Sequence, residues 1–166
     1  RGTSWKSSLE KSLGSNDGTV DYAGKAFLCG EVARWVEQSG IGLDGCTGGE
    51  LAVALAANFP PAKMQVHGNN KSMGEIDRAV EVGVGTIVID SLFEIERVVT
   101  AAKKYGKIQP VLLRLTPGIE AHTHESIATA HEDVKFGFSI ASGAAWQAIV
   151  ETRKHSEIEL RGFHSH

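Results

Sequence analysis

The sequence predicts an α/β fold: an incomplete (β/α)8 barrel with about six of its eight βα units present. Three observations point there. Short β-rich apolar segments recur at even intervals, amphipathic helical stretches lie between them, and S/T-x-x-E signals mark three helix starts.

The first β-rich segment is Val20–Lys25, followed by a helical stretch, Leu28–Gln38, with Val32, Trp35 and Val36 on one side. Ile41–Asp44 is the second strand, and the helix after it carries Leu51, Val53, Leu55 and Ala56. Met64–His67 is the third, leading to a helix with Ile76, Ala79 and Val80. Thr86–Asp90 is the fourth, and Ile95, Val98, Val99 and Ala102 follow it at the same 3.6-residue spacing. Val111–Thr116 and Ile158–His166 complete the series. Centres of the first five strands lie roughly 20–25 residues apart, the repeat of parallel βα units.

Thr47-Gly-Gly-Glu50, Ser72-Met-Gly-Glu75 and Ser91-Leu-Phe-Glu94 each match a capping box. In that motif the first side chain accepts the N–H three residues on, and the acid reaches back. A doubly wound sheet is the competing arrangement, but its first strand normally runs into a glycine-rich turn. Here that turn reads Lys25-Ala-Phe-Leu-Cys29, and Gly83-Val-Gly85 precedes a strand instead of following one. Gly68-Asn-Asn-Lys-Ser72 does not match the GxxxxGK[ST] phosphate loop either.

Composition narrows the function. The chain has 166 residues, 42% hydrophobic and 22% charged, with 17 basic against 20 acidic side chains and a net charge of −3. That balance suits a globular protein and excludes a nucleic-acid-binding surface spread over the chain. No apolar run approaches the roughly 20 residues of a membrane span. The start is polar and charged around Lys6, Glu10 and Lys11, unlike a secretory signal. Cys29 and Cys46 form no CxxC motif and read as small buried thiols of a reducing cytoplasm. Residues 1–19 read as a helical lead-in and 20–166 as the partial barrel, cut near its sixth strand. With six strands, no initiator methionine and a stop at His166, the chain is expected to be an N-terminal fragment of a larger enzyme, inactive and poorly soluble alone.

Barrel active sites form at the C-terminal ends of the strands. Those ends carry Lys25, Asp44, His67 with Asn69, Asp90, Arg114 with Thr116, and His164 with His166. Lys25 is a candidate amine nucleophile if a dry pocket lowers its pKa, or else a rim lysine reaching into solvent. Asp44 would hold an ammonium or a histidine, or merely favour a helix start. Arg114 ends an apolar strand and needs an anion, either a structural carboxylate or a ligand group. His164 and His166 form an H-x-H pair that suits a metal site, a ring stacked on a cofactor, or two satisfied core histidines. The 21-residue stretch Pro117–Gly137 brings His122, His124, Glu125, His131, Glu132 and Asp133, either as metal ligands or as polar contacts within a loop.

Several blocks resemble the bacterial diaminopimelate decarboxylase family. They are Tyr22-Ala-Gly-Lys25-Ala-Phe, Leu43-Asp44-Gly-Cys-Thr-Gly-Gly-Glu50-Leu, His67-Gly-Asn-Asn-Lys-Ser72, Arg114-Leu-Thr-Pro-Gly-Ile-Glu-Ala-His-Thr-His-Glu125, His131-Glu-Asp-Val-Lys-Phe-Gly137 and Phe163-His-Ser-His166. The first alone would place the chain only among fold-type III pyridoxal phosphate enzymes, which include ornithine and arginine decarboxylases. The resemblance implies an alanine racemase-like barrel and removal of CO₂ from meso-2,6-diaminopimelate, giving L-lysine. It implies that Lys25 carries pyridoxal phosphate covalently and that His166 stacks on the cofactor ring as a second catalytic residue. Asp44 and Arg114 match positions lining the cofactor pocket. Gly45 departs from the pattern by adding backbone freedom beside Asp44. A cytoplasmic homodimer of the full-length parent is implied as well, binding a small amino-acid substrate and no nucleic acid or membrane. A metal-dependent barrel hydrolase built on His164 and His166 is the alternative that the residues alone leave open.

Overall fold

The computed structural model describes residues 7–8, 11–12, 18–118 and 136–166. Among them seven strands form one parallel sheet: β1 Asp21–Ala23, β2 Gly42–Gly45, β3 Met64–Val66, β4 Thr86–Ile89, β5 Gln109–Thr116, β6 Phe138–Ser139 and β7 Ile158–His164. β1 to β5 pair in chain order, and β7 pairs in parallel with β5 from Gln109↔Ile158 to Arg114↔His164. The helices between them are α1 Gly30–Gln38, α2 Gly48–Ala56, α3 Met73–Val82, α4 Leu92–Tyr105 and α5 Ala144–Thr152. The six anticipated strands are all present, in the parallel order of an incomplete barrel.

Period-two alternation sorts the sheet into two faces. Leu43, Met64, Val66, Ile87, Ile89, Val111 and Leu113 form one core with Ile76, Val80, Ile95 and Val98 of the helices. Their neighbours in sequence, among them Asp44, Gln65, Leu112 and Arg114, fall on the other face. The helix layer therefore supplies the apolar burial, and the opposite face is free to carry polar groups toward its C-terminal end. Left-handed glycines, Gly83 at φ 78° and Gly106 at φ 60°, close α3 and α4 and send the chain straight into the next strand.

Two capping boxes form as the sequence implies. Thr47 Oγ1 accepts the Glu50 N–H while Glu50 Oε2 accepts the Cys46 and Thr47 amides. Ser72 and Glu75 repeat the arrangement at α3. The third box does not form. Ser91 makes no side-chain cap bond: the Glu94 N–H goes to the Ser91 carbonyl, and the Glu94 carboxylate reaches a buried lysine, Lys71, and the Asp90 amide.

Other expectations are corrected in detail. Lys25 stands in a 3-10 turn, Gly24–Ala26, just beyond β1 instead of ending the strand. The two-residue β6, paired with Leu115 and Thr116, and the helix α5 were not anticipated. Cys29 and Cys46 are free but half-buried. Of the lead-in, residues 7–8 and 11–12 are described and helical, while His122, His124, Glu125, His131, Glu132 and Asp133 lie outside the described residues. Among the described residues no helix is long and apolar enough to cross a membrane.

Candidate functional site

The C-terminal ends of the strands surround a cleft of about 490 Å³ lined by Lys25, Cys46, His67, Arg114, His164 and His166, among others. The turn after β1 presents Lys25, whose Nζ lies 3.2 Å from His166 Nε2. Both residues are exposed, so the dry pocket considered for Lys25 is not formed by the described residues. These two groups come from opposite ends of the chain and meet because β1 and β7 bring their C-terminal ends to the same side of the sheet.

His67, His164 and His166 stand in a row. Successive ring centroids are 6.4 Å apart and each pair is within 14° of parallel. Asp44 Oδ1 anchors the far end of the row by accepting the His67 Nδ1–H at 2.7 Å, and Gln65 Nε2 donates to the same oxygen at 3.3 Å. Asp44 thus fixes the orientation of the His67 ring, with Nδ1 on the Asp44 side. The middle ring, His164, has a buried Nδ1 without a hydrogen-bond partner. Burial first, then the neighbouring Arg114 and His67, holds its pKa below the usual histidine value, so it stays neutral at pH 7.

Arg114 finds its anion in the protein. Its Nη1 is 3.3 Å from Asp90 Oδ1, and its guanidinium lies 4.7 Å from the Phe136 ring centroid. Asp90 Oδ2 accepts the Gly137 N–H at 2.9 Å. A side chain at Gly137 would meet the Arg114 carbonyl oxygen at 2.6 Å, so only glycine lets this strand pass so close. Gly45, by contrast, would tolerate a Cβ, which would meet only Glu50 at ordinary contact distance.

The sequence brought forward Lys25, Asp44, Arg114 and His166; Lys25, Arg114 and His166 line one cleft, and Asp44 stands behind it, bonded to the cleft residue His67. It did not single out Lys71 or Gln65, and it read Glu75 and Glu94 only as capping acids. Glu75 is the more informative of these, because its carboxylate caps α3 as expected and also accepts the Gly48 N–H of α2 at 2.7 Å. The only signal for that second bond was Gly48 itself, where a Cβ would sit 3.0 Å from Glu75 Cγ.

Residues 2–166 match the family described as pyridoxal-dependent decarboxylase, pyridoxal binding domain. The chain belongs to that family. It is 58% identical over 147 residues to the diaminopimelate decarboxylase of Mycobacterium tuberculosis (strain ATCC 25618 / H37Rv), covering 89% of this chain and 33% of that protein. Diaminopimelate decarboxylase from M. jannaschii superimposes with a TM-score of 0.85 at 28% identity, over 99% of this chain and 38% of the other. The M. jannaschii enzyme in complex with L-lysine gives 0.80 at 32% identity, over 89% and 34%. The chain spans about a third of the length of the curated relatives it matches.

A pyridoxal-binding member of this family needs an accessible primary amine and a flat surface for an aromatic ring. The residues fit. Lys25 offers an exposed amine at the cleft, the His166 imidazole stands beside it, and the row of near-parallel rings behind supplies flat surfaces. A metal centre on the same histidines fits less well, since their rings stack instead of converging on a point. Among the described residues, the side chains close enough to share an ion are Glu96, Glu151 and His155, which include neither His164 nor His166.

Proposed function

We propose that the full-length protein decarboxylates meso-2,6-diaminopimelate, releasing CO₂ and forming L-lysine, with pyridoxal phosphate held in the cleft described above. The observation that carries this reading is the approach of the Lys25 amine to the His166 ring, 3.2 Å apart at the strand ends of a chain so similar to diaminopimelate decarboxylases. Lys25 would hold the cofactor covalently through Nζ, and His166 would cover its ring.

Bound pyridoxal phosphate supplies the electron sink that accepts the pair left when the C–COO⁻ bond breaks. This chain's residues bind and orient. Asp44 holds the His67 ring in place at the edge of the cleft. Asp90 neutralises Arg114 and keeps its guanidinium from swinging free, so Arg114 lines the cleft as an anchored donor. His164 remains neutral, so the middle of the row of rings adds no charge to the cleft. A homodimer in the cytoplasm, as the family resemblance implies, completes the reading.

Full-length protein mixed with pyridoxal phosphate should show a visible absorption band that Lys25→Ala abolishes. It should release CO₂ from meso-diaminopimelate and not from ornithine or arginine. A band that survives Lys25→Ala overturns the role of Lys25, and turnover of ornithine in preference to diaminopimelate overturns the substrate.

A further inference from the structure

Lys71 is 3% exposed and Glu94 2%, so both charges are removed from water and depend wholly on protein partners. Lys71 Nζ donates to the Gly68 carbonyl at 2.6 Å and the Val88 carbonyl at 2.7 Å, and lies 3.0 Å from Glu94 Oε2. Those three partners match the three protons of an ammonium. Burial pulls the Lys71 pKa down, and the Glu94 carboxylate works against that pull. Glu94 Oε2 also accepts the Asp90 N–H at 2.8 Å, and Arg97 Nη1 donates to the Lys71 carbonyl. One ammonium therefore joins the turn after β3, the strand β4 and the first turn of α4.

The joint acts on the peptide beside a cleft residue. Gly68 directly follows His67 and has φ +125°, a conformation that other residues rarely adopt. Its carbonyl points back to Lys71, while the His67 amide donates to the Gly45 carbonyl at 2.9 Å. With the ring bonded to Asp44, His67 is held at its amide, at its imidazole and at the carbonyl that follows.

We propose that Lys71, paired with Glu94, is a positioning residue for the cofactor cleft. Its tether on the Gly68 carbonyl sets where the His67 ring stands, and so sets the row of rings running through His164 to His166 beside Lys25. This inference rests on reading the cleft as the cofactor site. Two of the three Lys71 donors go to backbone carbonyls, and one of these, Gly68, directly follows the cleft residue His67.

The test compares Lys71→Met with Lys71→Met/Glu94→Gln in the full-length protein. The single change leaves the Glu94 charge buried without a partner and should unfold easily. The double change removes that charge, keeps an oxygen for the Asp90 amide, and should restore the melting temperature. The tether stays lost in both. In the refolded double variant, exchange of the His67 amide should speed up by at least about tenfold relative to amides of α4, since local opening is what exchange reads. Pyridoxal phosphate should dissociate more readily by a similar factor. Wild-type exchange at His67 together with an unchanged cofactor dissociation constant would overturn the proposal and leave Lys71 a stability residue. The exchange measurement uses neither substrate nor cofactor. A wild-type protein that fails to decarboxylate diaminopimelate would therefore sink the functional reading while this comparison still decided the tether.

Discussion

Asp90 faces Arg114 from the end of the neighbouring strand, with Oδ1 at 3.3 Å from Nη1, while its other oxygen takes the Gly137 amide. A single carboxylate thus fixes a cleft arginine and the point where the chain enters β6.

Removing that carboxylate should therefore cost stability. The Asp90 side chain is 4% exposed and Arg114 13%, so Asp90→Ala leaves a buried guanidinium without its anion. Loss of one partner from such a pair costs about 3–5 kcal/mol, and the lower end applies here because the Asp90–Arg114 contact is long. Urea unfolding of the full-length variant should show a deficit near that lower end. A loss of under about 1 kcal/mol would mean that water already solvates Arg114.

Glu94 makes a sharper contrast between neighbouring helices. Ser72 caps α3 through a hydrogen bond to the Glu75 amide, whereas Ser91 makes no such bond at α4. Ser72→Ala should cost about 1 kcal/mol, the usual loss of an N-cap, and Ser91→Ala only a few tenths. Parallel denaturation curves check this. Equal losses would mean that Ser91 does cap α4 in solution.

The same pair of helices shows what could be read from the residues and what could not. Strand positions, parallel order and two capping boxes were legible because alternation and S/T-x-x-E spacing are local signals. The box at Ser91 has the same local form, but Glu94 answers to Lys71, a buried cation from another βα unit, and no local pattern reports that. α5 escaped notice because it begins at Gly143, which has no side chain to cap it, and β6 because two residues show no period. At the cleft, Lys25, Asp44, Arg114 and His166 stood out as polar ends of apolar strands. The row of three rings did not, since it depends on how β3 and β7 place His67 and His164 across the cleft.

His164 predicts a pH effect on the site. Its folded pKa lies below the ordinary value of 6.5, chiefly through burial, so the unfolded chain takes up a proton first as pH falls. The contribution of His164 to stability is thus complete above pH 6.5 and is lost as pH drops below it. Ring resonances should show His164 titrating below 6.5 in the folded protein. His164→Gln should flatten the stability profile just under that pH. A His164 titration at or above 6.5 contradicts the burial argument.

Glu75 predicts a second loss at lower pH, through a different cause. The Ser72 and Gly48 amides, together with the Ser72 hydroxyl, bind its carboxylate and hold its pKa below the usual 4.5. A carboxyl with a depressed folded pKa stabilises fully above its unfolded pKa and progressively less as pH falls through the folded one. Stability should therefore decline as pH drops below 4.5, with α2 and α3 loosening together because one carboxylate serves both. Glu75→Gln keeps an oxygen acceptor for one helix only and removes the ionisation. The variant should be less stable at pH 7 and show a shallower decline below 4.5, with faster amide exchange at Gly48. An unchanged decline would assign the acid sensitivity to other carboxylates, and unchanged exchange at Gly48 would deny the bond across the two helices.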